Sequence, residues 1–337
     1  MSVKQNSHSA STTLFRRLIF DGTVPLEIKI DLKDLPANSD RSLEYYYVQA
    51  PRISYLPLLI PDVRKYLAEL VLDDSTQIKE EDWWFEETSS GALMKWHWPI
   101  GALYDGHTVA AQLAQVTASG FLNGPGFDPT PAHPLRLTLH LTSPPTDKLL
   151  LSPSIEACKQ AFMGQVKEAD FLRWGNTRRV TGLRKQEQDG MWDGLREHNF
   201  DEFWRHASKI FPAPGSIQTH AKDSHLRSPS IEPVAQAGEK DDANNVRSVP
   251  VRIHLPDGPV LQDVVSPLNE DGRPTMLRDL LRNHVPLLFP PQPSVPLAYA
   301  IIQGVVVPGE AEVAWLNTCM GGIDGFLSIF IGIGIAS

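Results

Sequence analysis

Cysteine is scarce in this sequence: Cys158 and Cys319 are the only two in 337 residues. Two thiols provide no disulfide framework and suit a reducing compartment. Neither has the C-x-x-C or Cys/His spacing of a zinc site, so no structural metal is expected. Long apolar runs are missing as well, and none reaches the ~20 residues that cross a bilayer. The nearest, FLSIFIGIGIA from Phe326 to Ala336, is short and glycine-rich and reads as a buried strand. A basic excess is absent: 31 basic against 40 acidic residues leave a formal charge of -9. That balance argues against nucleic acid as a partner. There is no G-x-x-x-x-G-K-[ST], and Gly332-x-Gly334 has no helix after it to hold a phosphate. No cofactor is therefore expected. No Ser-His-Asp signature or paired-carboxylate motif stands out. Cys158 is the one candidate thioester nucleophile, but it falls in an apolar stripe, where a thiol pKa rises rather than falls. His97, between Trp96 and Trp98, reads as an edge or hydrogen-bonded core residue rather than a base. These absences favour a scaffold over an active site.

What is present is enough for about two or three domains, each with its own core. Residues 1–20 carry Lys4, Arg16 and Arg17, several serines and no acid, the composition of a mitochondrial presequence. The competing reading, which we favour, is a short helix capped by Ser11 or Thr12 with Leu14, Phe15, Leu18 and Ile19 on one face. From Val24 the pattern changes. Leu26, Ile28, Ile30 and Leu32 alternate with polar partners, as in a half-buried strand. A second strand is expected over Leu43 to Gln49, and a helix opened by Pro61 with Val63, Tyr66, Leu67 and Leu70 as its stripe. Strands around Trp83 to Glu86, Met94 to Trp98 and Leu135 to Leu141 follow. The order β-β-α-β-β-β is that of a ubiquitin-like β-grasp. Asp105 to Pro134 reads as an insertion or long loop.

The next segment is helical. In Ser154–Gly175, Ile155, Cys158, Phe162, Val166 and Ala169 recur at helical spacing, with Ser152 or Ser154 as N-cap and Gly175-Asn176 as stop. Lys167, about 100° off that stripe, projects from its edge; a lysine so placed is ordinarily a solvated side chain. Glu187 to Phe211 is a second, Trp-rich helical segment broken near His198-Asn199. Arg173, Arg178, Arg179, Arg184 and Lys185 lie between, with no acid from 171 to 186. They read either as a solvated loop or as a docking patch for an acidic partner or anionic membrane. Residues 212–248 are poor in apolar residues and read as a disordered linker. Then Val249, Val251, Ile253 and Leu255 alternate, Pro256-Asp257-Gly258 turns, and Val260 to Val265 returns as a hairpin. A helix bearing Met276, Leu277, Leu280 and Leu281, and strands at Tyr299 to Gln303 and Phe326 to Ile333, complete a second β-grasp.

Several stretches resemble one known family. Gln165-Val166-Lys167-Glu168-Ala169-Asp170-Phe171-Leu172-Arg173 is similar to the acceptor-lysine segment of the autophagy protein 5 family. Trp192-Asp193-Gly194-Leu195 and Phe200-Asp201-Glu202-Phe203-Trp204 match its W-x-G-L and F-D-x-F-W block. Pro51-Arg52-Ile53-Ser54-Tyr55-Leu56 matches its P-R-x-S-Y-L. Met94 to Gly101 matches its L-K-W-H-x-P-I-G, with Met for Leu, and Phe20-Asp21-Gly22-Thr23-Val24-Pro25 its W-x-G-x-I-P entry, with Phe for Trp and Val for Ile. The likeness thins toward the C-terminus, where Gly304, Trp315-Leu316 and Gly325-Phe326-Leu327 match. Ala314 stands where the family often has Gln, and the final Ile-Gly-Ile-Gly departs from its pattern.

The resemblance implies an α+β fold with two ubiquitin-like β-grasp domains flanking a helix-rich domain. The expected division is a helical extension over 1–22, a first ubiquitin-like domain over 23–145, a helix-rich domain over 146–212, a disordered linker over 213–247 and a second ubiquitin-like domain over 248–337. It implies a non-catalytic scaffold in which Lys167 accepts, through an isopeptide bond, the C-terminal glycine of the ubiquitin-like modifier autophagy protein 12. Arg52 would help receive the N-terminal helix of the coiled-coil partner autophagy protein 16, clamping an acidic side chain. The conjugate would act like an E3 ligase, engage the E2-like enzyme autophagy protein 3 indirectly, and promote transfer of autophagy protein 8 to phosphatidylethanolamine. The expected location is cytoplasmic, peripheral on the preautophagosomal membrane. Asp170, three residues past Lys167, would keep that lysine protonated. An adaptor that is never conjugated is the other reading, and an enzyme built on Cys158 a third.

Overall fold

The computed structural model describes residues 2–35, 45–68, 79–119, 133–150, 154–213, 246–256, 258–291 and 297–334. Helix α1 (Ser2–Phe20) begins well before Ser11 and Thr12, so neither caps it. The face it turns inward also differs from the expected one. Thr12 and Phe20 are buried, whereas Leu14 is 58% and Leu18 60% exposed. Arg16 carries much of the contact: Nε donates to Thr318 O (2.8 Å), Nη2 to Pro212 O (2.7 Å), and its guanidinium lies over Trp204. Counting apolar residues alone cannot find a face built around an arginine.

The first sheet forms from β1 (Thr23–Ile30), β2 (Tyr46–Pro51), β3 (Trp84–Glu87) and β4 (Leu135–His140), with α2 (Leu56–Val63) and α3 (Ile100–Ser119) between strands. Its order is β2-β1-β4-β3, with β1 and β4 parallel and both outer pairs antiparallel. The alternation on β1 sets Leu26, Ile28 and Ile30 beside Leu135, Leu137 and Leu139, all buried under α2. Each such aliphatic side chain contributes about 1.5–3 kcal/mol of burial.

Three expectations need correction here. The helix opens at Leu56, because Pro57 takes the first-turn position given to Pro61. Pro61 lies inside it, and past Val63 the chain widens into a π turn over Arg64–Ala68. Leu70 and residues 43 and 44 fall outside the described residues. Met94 to Trp98 is not a strand: one bridge joins Leu93 to Glu86, Met94 N donates to Phe85 O, and the chain then turns into Pro99 at the start of α3. Within Asp105 to Pro134, residues 105–119 are helix rather than loop, for Ala is the commonest residue there and the Gly/Pro cluster begins only at Gly120. Residues 120–132 lie outside the described residues.

The helical region comprises α4 (Ile155–Trp174), α5 (Arg178–Thr181), α6 (Lys185–Arg196) and α7 (Phe200–Ala207). Ser154 Oγ accepts from Ala157 N at 3.1 Å and Gly175 closes α4 at φ 76°. Asn199 caps α7 through Glu202 N (3.1 Å), which is where the second segment breaks. The core of this region holds Phe162, Val166, Trp192, Leu195 and Phe203, and is completed by Phe20, Ile53, Tyr55 and Ile323 from the flanking parts. The expected linker falls outside the described residues, apart from 213, 246 and 247.

The second sheet contains β5 (Val249–His254), β6 (Val260–Val265), β7 (Ala298–Ile302), β8 (Val305–Val307) and β9 (Leu327–Ile333), with α8 (Leu277–His284) and α9 (Val313–Met320) on one face. Its order is β6-β5-β9-β7-β8, and β5 and β9 are parallel. The β8 strand and α9 escaped the sequence pattern, the first by its brevity. Helix α3, which belongs in sequence to the first domain, lies across the other face of this sheet. Val109 and Ala102 pack on Tyr299, Ile301 and Phe330, and Tyr299 Oη donates to Gln112 Oε1.

Candidate functional site

Lys167 stands on α4, beside the buried Val166 and itself exposed. Its side chain has no hydrogen bond or ion pair among the described residues. Its neighbours are engaged elsewhere. Glu168 Oε1 accepts from Gln262 Nε2 at 2.7 Å, tying α4 to β6. Asp170, expected to act on Lys167, is instead buried and accepts from Val180 N at 3.2 Å. Burial pushes its carboxyl up, against that hydrogen bond and the charges of Arg173 and Arg179.

A cleft of about 500 Å³ lies where the three parts meet. Lys95, His97, Trp98, Gln165, Arg252 and His254 contribute to its wall. Arg252 is its hub: Nη1 donates to Gln165 Oε1 (3.2 Å) and Asp324 Oδ2 (3.1 Å), Nε donates to Gln262 Oε1 (3.0 Å), and the guanidinium lies 3.5 Å over Phe326. His254 stacks on Phe330 with ring centroids 4.2 Å apart, and burial, then Arg252 and Lys95, bring its pKa down to about 3. It is therefore neutral at physiological pH. His97 lies on a turn, not a strand; its carbonyl accepts from Gln165 Nε2 (3.1 Å), and burial lowers its pKa. The sequence reading missed Arg252, His254 and Asp324. A signal was present: β5 alternates Val251-Arg252-Ile253-His254, and two basic residues share the face that a half-solvated strand would give to water.

Arg52 is placed differently from the expectation. It is only 8% exposed, with Nη2 donating to Asp105 Oδ2 (2.6 Å) and Gly101 O (3.4 Å). Asp105 Oδ2 also accepts from Gly304 N at 3.0 Å. Gly304 has φ 78°, a conformation that favours glycine, and a Cβ there would press on Arg52 Nη1 at 2.9 Å. Burial pushes the Asp105 carboxyl up, opposed by the Arg52 charge. Arg52 is thus an internal bracket joining α3 to the β7–β8 turn, its guanidinium engaged by Asp105 of the same chain where the expectation gave it a partner's acidic side chain. Desolvating a guanidinium is tolerable only with such an inward partner.

The basic run is also not one surface. Arg173 is buried and donates from Nη2 to Gly325 O, while Arg179 lies 3.9 Å over the Trp174 ring. Arg178, Arg184 and Lys185 remain exposed. Cys158 is buried, and burial raises its pKa to about 12, unsuited to a thiolate nucleophile.

These features define a scaffold of three interlocked parts, two ubiquitin-like sheets set around a helical region. Family models match all three: Autophagy protein ATG5, UblA domain, over residues 19–141; its alpha-helical bundle region over 155–213; and its UblB domain over 248–331. The chain belongs to the autophagy protein 5 family, and its role is in autophagy. Autophagy protein 5 of Phaeosphaeria nodorum is 29% identical, covering 95% of this chain and 97% of that one. That of Neosartorya fischeri is 27% identical, covering 96% of each. The crystal structure of Kluyveromyces marxianus Atg5 shares the fold, with TM-score 0.66 at 21% identity over 94% of this chain and 98% of that one.

Proposed function

We propose that this autophagy scaffold is joined through Lys167 to the ubiquitin-like modifier autophagy protein 12. With the coiled-coil autophagy protein 16 it then forms an E3-like complex that promotes lipidation of autophagy protein 8 with phosphatidylethanolamine. The supporting observation is an exposed lysine, without an internal partner, on a capped helix at the position matching the family's acceptor. Only a free amine is a nucleophile, so a proton of the lysine must pass to a base of the transferring enzyme or to water. Nζ then attacks the thioester carbonyl of the charged modifier. The C–N bond forms, the C–S bond breaks, and the enzyme's thiolate departs.

The cleft around Arg252 is the seat we assign to the partner's helix. Autophagy protein 3 meets the conjugate only indirectly, and the complex works from the cytoplasm as a peripheral component of the preautophagosomal membrane. Mass spectrometry of the native protein tests the reading. A branched peptide at Lys167, lost in Lys167→Arg with the fold intact, is expected, because a guanidinium is no nucleophile at cellular pH. A modifier-sized adduct that survives Lys167→Arg would overturn it, and absence of any adduct would favour the unconjugated adaptor.

A further inference from the structure

The face of α4 that carries Lys167 is open over several turns. Gly164 lies one turn before the lysine and Phe171 one turn after. Being seven residues apart, the two fall within about 20° of each other around the axis. Lys167 lies between them in height and about 40–60° to one side.

Glycine is among the least favourable residues in a helix interior, and most such glycines make room for a neighbour. Gly164 does not: a Cβ there would meet nothing within 4 Å. Phe171 is 54% exposed, although the stripe of this same helix buries Phe162 completely. The fold therefore uses neither the missing side chain nor the exposed ring, and both flank the lysine.

We propose that this face is the seat of the modifier's C-terminal segment. Gly164 leaves room for the terminal main chain to lie against the helix, and Phe171 anchors an apolar side chain of the same segment. The inference rests on Lys167 being the acceptor. An isopeptide bond fixes the modifier's last carbonyl to Nζ, so the residues before it must run over the surface within reach of one lysine side chain. The modifier stays there after transfer and the transferring enzyme does not. The occupant is thus the modifier's tail, and a seat for the enzyme alone is an outcome the test detects.

The test is reconstituted conjugation of the full chain with the modifier and its activating and transferring enzymes, read as initial rate and as the site of attachment. Gly164→Ala should raise the melting temperature by about a degree or more, as an alanine in a helix should, yet slow conjugation. Gly164→Gln, which fills more of the space, should slow it at least about tenfold, and Phe171→Ser at least about fivefold, with Phe171→Leu close to wild type. Hydroxyl-radical footprinting of Phe171 should show protection in the purified conjugate relative to the free chain. Stable variants that conjugate at the wild-type rate would overturn the inference while leaving Lys167 as acceptor. Slowed variants with Phe171 unprotected in the conjugate would assign the face to the enzyme and likewise overturn it. A wild-type chain with no adduct at Lys167 fails the acceptor reading itself, and the inference with it.

Discussion

The two ubiquitin-like sheets share a topology and differ in what lies on their second face. In each, the first strand is interior and runs parallel to the last, β1 with β4 and β5 with β9. On β1 every second residue is buried and the others face outward. On β7 all five residues are buried, and on β9 five of seven. The difference comes from α3, which leaves the first domain and covers the outer face of the second sheet with Val109 against Tyr299, Ile301 and Phe330. A sheet wet on one side must alternate, whereas one covered on both sides reads as a continuous apolar run. The LSIFIGI stretch that forms β9 is thus the imprint of a helix encoded more than two hundred residues earlier.

The strongest way to break this arrangement is at Asp105, where α3 is fastened to Arg52 and Gly304. Asp105→Ala leaves a buried guanidinium unpaired and should cost about 3–5 kcal/mol in urea unfolding. Arg52→Met combined with Asp105→Leu should recover most of that, whereas a loss near zero for Asp105→Ala would mean α3 is not held there. A direct comparison of the two outer faces comes next. Val109→Ala, beneath the covering helix, should cost about 2 kcal/mol. Lys29→Ala, on the outward side of β1, should stay within about 0.5 kcal/mol. Equal effects would remove the distinction between the sheets.

The covered face also predicts a pH dependence. His254 titrates near 6.5 when unfolded and at about 3 when folded. Between those values the unfolded chain binds the extra proton, so stability should fall as pH drops through that window, by up to about 1.4 kcal/mol per unit. Asp105 and Asp324, whose carboxyls burial raises, oppose this, because their protonation favours the folded state. The difference between wild type and His254→Gln isolates the histidine: the variant should lose less stability between pH 7 and pH 5. An unchanged slope would show His254 to be solvated. A comparably small effect belongs to a contact outside both sheets. Arg17 and Asp201 pair at 2.7 Å with both side chains well exposed, so Asp201→Ala should shift stability by less than about 1 kcal/mol.

What the sequence by itself determined is what short-range chemistry encodes. The alternation of Leu26, Ile28 and Ile30 defines the core face of β1. Ser154 and Gly175 delimit α4, and the phase of its stripe places Lys167 at the surface. Each of these follows from bond geometry acting over a few residues, so composition and spacing record it. Where Arg16, Arg52, Arg173 and Arg252 point was decided only by the tertiary structure. All four look like solvated cations in the sequence, and all four turn inward to carboxylates or carbonyls far away along the chain. The same holds for His254, made neutral by burial against Trp98 and Phe330 and by the nearby charges of Arg252 and Lys95, and for α3, whose true partner is the other domain. Periodicity carries no information about such contacts, because desolvation depends on which surfaces meet, and only the folded chain brings them together.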